Sequence, residues 1–301
     1  MDEVLYACRF VQFTAAMVIF GAVAFRLYAL PGGDARAWPG VLAGFEVWLG
    51  RMTLATAIVA LVSALALLLC QAAAMTGSPA AATDPITVTA VLFETRFGRV
   101  WLWHLVVAIV LVLACLGRPH RRQPVVLILS LLLLASIGWI GHAAMDDGLA
   151  RIGHELNQTV HLLAAGLWLG GLVPLGWLLR RARTAQEDAG IIAARDAIRH
   201  FSQMGYVAVA LIALTGAINS LLLVGSLRAM LGTPYGRLLA LKILLFFAMV
   251  VVALVNRFHL APRICREAVA LRALCRTVCV EQGLGLGILA VVSVLGTWPP
   301  A

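Results

Sequence analysis

Apolar stretches of roughly 17 to 25 residues recur along the whole chain, separated by short polar joins. Each is long enough to cross the roughly 30 Å of hydrocarbon in a bilayer. They fall at about 5–28, 48–74, 98–117, 124–145, 156–179, 202–225, 237–258 and 275–297. None shows the alternation of a membrane β-strand, so the backbone polar groups must be satisfied within each segment by a helix. The expected fold is all-α: a polytopic membrane bundle of about eight transmembrane helices, forming a single transmembrane domain over 1–301 with no separate soluble domain. The longest join, about 75–97, is punctuated by Gly77, Pro79, Asp84 and Pro85. The stretch 184–200 has a polar helical pattern and is expected to lie on the membrane surface.

Composition agrees with that reading. The chain is 62% hydrophobic and 12% charged, with mean hydropathy +0.97, whereas a soluble domain carries about 25% charged residues. The formal charge of +9 would raise nucleic acid as a partner in a soluble protein. Here the placement of the arginines explains it instead. Counting joins on alternate sides, sixteen arginines fall on one side, among them Arg118, Arg121, Arg122, Arg180, Arg181 and Arg183, and six on the other. Basic residues collect in cytoplasmic joins, so both termini are expected outside. Met1-Asp2-Glu3 lacks the positive flank of a secretory signal, and the first span is expected to be retained. The six cysteines have no disulfide or zinc spacing.

A faint repeat divides the chain. Thr95-Arg96-Phe97-Gly98-Arg99 opens the third span and Thr233-Pro234-Tyr235-Gly236-Arg237 the seventh. Val11-Gln12, Ala15-Ala16 and Gly21 in the first span likewise match Val160-His161, Ala164-Ala165 and Gly170 in the fifth. Two parallel four-helix halves, 1–150 and 151–301, are the expectation; transporters built from repeats carry their site at the interface between them.

Ionisable groups inside spans are costly and therefore candidates for function. His120, His200 and His259 fall among arginines on the cytoplasmic side. His104, His142, His154 and His161 fall at the outer ends of the third to fifth spans or in the join between the last two. If the fourth helix persists to its end, His142 and Met145 stand at i and i+3 with Asp146 beside them, and His161 returns to the same depth one span later. Imidazole with thioether suits copper, since thioether favours Cu(I) and imidazole accepts either oxidation state. Asp146, Asp147, His154 and Glu155 would gather the ion at the mouth. On the inner side Cys275 and Cys279 at i and i+4, with Cys265 and Cys115 nearby, form a candidate exit for Cu(I), although buried cysteines commonly serve only as small apolar side chains. Gly166-Leu167-Trp168-Leu169-Gly170-Gly171 and Gly283-Leu284-Gly285-Leu286-Gly287 read as close-packing surfaces. Trp101, Trp103 and Trp298 read as an outer aromatic belt, and Trp48 and Trp177 as an inner one. Asn219 and Lys242 are polar residues within spans. There is no phosphate-binding glycine loop, no His-Glu-x-x-His and no Gly-x-Ser-x-Gly, so nucleotide-driven pumping and the common hydrolase classes are excluded and no enzymatic role is expected.

At Gly141-His142-Ala143, at His161-Leu162-Leu163-Ala164-Ala165-Gly166-Leu167-Trp168-Leu169-Gly170-Gly171-Leu172, and from Thr233 to Leu239 through Lys242 to Asn256-Arg257-Phe258, the sequence resembles the copper resistance protein D (CopD) family of bacterial inner-membrane proteins. The resemblance covers most of the chain. It implies an eight-span protein of copper homeostasis that moves copper toward the cytoplasm, supplied by a periplasmic CopC-type copper-binding protein. In some relatives that donor is fused to the chain; here a separate partner is expected. Two other functions stay open at this point. Paired histidines on two spans, His104 with His142 or His161, describe a haem-binding membrane oxidoreductase, and a copper scaffold or sensor would conduct no ion.

Overall fold

The computed structural model describes residues 2–30, 39–117, 119–140, 148–185, 188–224 and 226–299, among which there is no strand. The helices are α1 (Asp2–Ala29), α2 (Pro39–Thr76), α3 (Pro85–Glu94), α4 (Arg96–Cys115), α5 (Pro119–Ile137), α6 (Gly148–Ala185), α7 (Asp188–Val224), α8 (Leu227–Gly232), α9 (Pro234–Val255) and α10 (Ala268–Leu295). Seven of them are long and apolar enough to cross a bilayer. The 19 residues of α5 run roughly 28 Å at 1.5 Å per residue and make the eighth crossing. The chain ends require it: the Trp298 indole N–H donates to the Tyr6 hydroxyl at 3.2 Å. An odd number of crossings would hold those residues a membrane thickness apart.

Two boundaries differ from the sequence expectation. The segment 184–200 is no separate surface helix. From Asp188 it is the first part of α7, and Ala193, Ala194, Ala197 and Ile198 are buried in one cluster with Leu178, Leu179 and Ala182 of α6. Those alanines let α7 continue against the last turns of α6. The fourth span was expected to run to 145, yet α5 ends at Ile137, and the N–H groups of Gly138 and Trp139 turn back to carbonyls three residues earlier at 2.9 and 3.3 Å. A Cβ at Gly138 would lie 2.7 Å from Thr159 Oγ1, so glycine permits α5 to end against α6. His142, Met145 and Asp146 lie outside the described residues.

At the centre α1 crosses α6. A Cβ on Gly21 would collide with the Gly166 carbonyl, and one on Gly170 with the Met17 carbonyl; the small residues let the two backbones touch. Contacts among the first five helices recur five helices on. The α1–α2 contact corresponds to α6–α7, α2–α4 to α7–α9, α3–α4 to α8–α9, α4–α5 to α9–α10 and α1–α5 to α6–α10, while across the centre α5–α6 answers α10–α1. The Thr-x-aromatic-Gly-Arg motif has the same local job in both places. Thr95 Oγ1 accepts the Gly98 N–H at 2.9 Å to cap α4, and Thr233 Oγ1 accepts the Gly236 N–H at 3.0 Å to cap α9.

Candidate functional site

Two polar nodes lie toward the end of the bundle that carries the termini. In the first, α1, α2, α4 and α5 converge. Ser63 Oγ donates to Gln12 Oε1 at 2.5 Å, and the Gln12 amide nitrogen donates to His104 Nε2 at 2.8 Å. His104 Nδ1 reaches Ser136 Oγ at 2.7 Å, and Ser136 donates in turn to the Leu133 carbonyl at 2.7 Å. Donor and acceptor roles close consistently only with the His104 proton on Nδ1. The ring is fully buried and stacks on Trp101 with centroids 4.3 Å apart. Trp101 is thus no belt residue: it is buried, and its N–H donates to the Ala64 carbonyl at 2.9 Å. Trp103, one helical step away, is the exposed one.

The second node joins α6, α7 and α9. Thr215 Oγ1 donates to the Leu211 carbonyl at 2.5 Å and so accepts from His161 Nδ1 at 2.9 Å. That leaves His161 Nε2 with a lone pair and no hydrogen-bond partner among the described residues. His161 is 7% exposed and lines a cavity of about 450 Å³ with Lys242, Gly216 and Met249. Asn157 donates to Asn219 Oδ1 at 2.8 Å and to the Thr215 carbonyl at 3.0 Å, and Asn219 donates to Gln158 Oε1 at 2.8 Å. This explains Asn219 as glue between α6 and α7. Gln12 and His161 hold matching places in the first and fifth spans. His104 and Lys242 each follow their capping threonine by the same step. Gln12, Ser63 and His104 are therefore answered by His161, Thr215 and Lys242, with the imidazole on a different helix in each node.

His154 was expected in a join; it lies in α6, buried, and lines a second cavity of about 140 Å³. His154, Gln158 and His161 follow one helix face at i, i+4 and i+7. Beside them Glu155 is buried and paired with Arg96 of α4. His104 and His161 do not form a haem pair, because both His104 nitrogens are engaged. At the arginine-rich end Cys275 is buried and Cys279 exposed, with the Arg180 guanidinium donating to Cys279 Sγ at 3.4 Å. Cys265 is exposed in the turn before α10. Among the described residues no group of three or more His, Cys, Asp or Glu side chains is placed to hold a metal ion.

Gln12 was noted in the sequence only as part of the repeat, and Ser63 and Thr215 were passed over, since each is a modest polar residue whose partner sits on another span. Glu281 was passed over too. It is a buried carboxylate of α10, held by Asn256 Nδ2 at 3.3 Å, and Asn256 accepts from Thr277. Asn256 opens a π-helical turn, Asn256–Leu260, that ends the seventh crossing. A carboxylate inside an apolar run was the available signal.

Comparison with known proteins gives a coherent picture. The family model for the copper resistance protein D-like N-terminal domain matches residues 1–152, and that for copper resistance protein D matches 195–295. The chain is 31% identical to the inner membrane protein YebZ of Escherichia coli, over 98% of this chain and 97% of that one. It is 31% identical to copper resistance protein D of Pseudomonas syringae, over 99% and 97%. A third relative, the copper transport protein CutJ of Bacillus subtilis, is 27% identical over 97% of this chain and 52% of its own length. No solved structure matches. With end-to-end likeness to these proteins and both family models matched in order, this chain belongs to the copper resistance protein D family.

Proposed function

We propose that the protein moves copper across the bacterial inner membrane toward the cytoplasm, with both termini in the periplasm and no enzymatic step. One observation carries the reading: His161 is buried at a cavity wall with Nδ1 held by Thr215, so that Nε2 remains for a ligand. A hydrogen bond at one ring nitrogen that orients the other is how metal-binding imidazoles are set up. His154 stands two turns nearer the chain ends on the same helix face. His142, Met145 and Asp146 would complete the entry site, with thioether and imidazole both suited to Cu(I). Cys275, Cys279 and Cys265 would meet the ion at the arginine-rich end. The names of two relatives, copper resistance protein D and copper transport protein CutJ, support copper as the cargo. A separate periplasmic copper-binding protein of the CopC type would supply it. The repeated helix contacts support a division into halves 1–150 and 151–301, with the route near the α1–α6 crossing.

The test is copper uptake into vesicles reconstituted with the purified protein and loaded with a copper chelator. His161→Ala, and more strongly the His142→Ala/His161→Ala double variant, should slow uptake and weaken copper binding. Unchanged binding and flux in the double variant would remove the site. A wild-type protein that binds copper and moves none is a scaffold.

A further inference from the structure

Between the two nodes lies the cavity of about 140 Å³ that His154 also lines, and its positive charge opposes a metal ion unless an anion accompanies it. Arg9 of α1 and Lys242 of α9 both line it, and no aspartate or glutamate does among the described residues. Arg9 Nε is buried with no hydrogen-bond partner; the guanidinium packs against Gly296, and its carbon lies 5.8 Å from the centre of the Phe13 ring. Lys242 likewise has no hydrogen-bond or ion-pair partner among the described residues. Uncompensated cations in a low-dielectric interior are costly, and two sharing one cavity repel each other as well. The remaining polar wall is rich in amides: Gln71 and Gln158 line it, and the Gln158 oxygen is occupied by Asn219, which leaves its NH₂ group to donate. A space of about 140 Å³ has room for several waters, enough for an oxyanion with part of its hydration.

We infer that this cavity is an anion site in which Arg9 and Lys242 together bind a phosphate- or carboxylate-type group. Lys242 also lines the 450 Å³ cavity, whose wall is otherwise almost wholly apolar and reaches Leu221 and Phe247 on the exposed flank of the bundle. The same oxyanion can therefore arrive free from the aqueous end, or as the headgroup of an anionic lipid whose chains follow the apolar cavity. The anion site stands on Arg9 and Lys242 and is tested without copper. Its bearing on transport rests on the copper reading above: His161 shares a cavity wall with Lys242, so a cation at Nε2 is opposed by the ammonium until an anion neutralises it.

The experiment uses full-length protein purified in a neutral detergent. In one arm, thermal unfolding is followed against inorganic phosphate or acetate, with ionic strength held constant by a bulky sulfonate salt. In the other, retained phosphatidylglycerol is measured by native mass spectrometry against phosphatidylcholine. Saturable binding is expected in one arm, weakened roughly tenfold or more in Arg9→Gln and in Lys242→Gln, the loss expected for a charged hydrogen bond. Lys242→Glu guards against misfolding as the explanation: it brings a carboxylate to Arg9, so it should fold and cease to respond to either ligand. Failure of both ligands to bind saturably, or equal binding by wild type and all three variants, would overturn the site. Either result leaves copper uptake through His161 to be judged separately.

Discussion

At the scale of single residues, the contrast between His104 and His161 decides what each can do. Both are buried imidazoles with Nδ1 on a hydroxyl, but Gln12 occupies His104 Nε2 and no described group occupies that of His161. His104→Ala leaves the Gln12 NH₂ group and a Ser136 lone pair without their partner in the interior. It should lower stability by about 1–2 kcal/mol, a range set by hydrogen bonds between membrane helices and the cost of unpaired groups. Copper binding per folded molecule should be unchanged, as metal titration beside thermal unfolding would check. His161→Ala should show the reverse, with loss of copper binding exceeding loss of stability. Replacing both histidines and finding them interchangeable in the two assays would refute the distinction. That the four outer histidines are candidates for chemistry was legible from topology alone. Which of them has a spare nitrogen was not, because the answer lies with Gln12, 92 positions from its partner.

At the scale of elements, caps and small residues place the nodes. Thr95 and Thr233 fix where α4 and α9 begin, and hence the depth of His104 and Lys242 nine residues on. Thr233→Ala should cost about 1 kcal/mol, read as a lowered unfolding midpoint, while Thr233→Ser should restore most of it. The α1–α6 crossing is less forgiving. At Gly170 a side chain has nowhere to go except into backbone, so Gly170→Leu should abolish monodisperse protein after detergent extraction, whereas Gly153→Leu, where nothing lies within 4 Å, should be tolerated. Apolar periodicity was enough to locate these helices. It could not separate the polar start of α7 from a surface helix, since alanines buried on α6 look the same in sequence as alanines facing a headgroup layer.

At the scale of the whole molecule, the join between the chain ends sets the topology. Tyr6 and Trp298 in contact demand an even number of crossings, and with it α5 as a true span. Reporter fusions at the two termini should give the same answer, both on the side predicted from arginine counting to be periplasmic; opposite answers would mean that α5 does not cross. The two nodes flank the α1–α6 contact, so charge at one cavity acts on the other through Lys242, which lines both.

The sequence by itself determined the solvent, the helical class and the family, because each depends on local hydrophobicity or on motifs that are contiguous along the chain. Only the tertiary structure decided which polar residues meet. Hydrogen bonds such as Gln12 to His104 and His161 to Thr215, and the gathering of Arg9 and Lys242 around one cavity, join helices far apart in sequence. Their partners are set by how α1 and α6 cross, which no single span encodes.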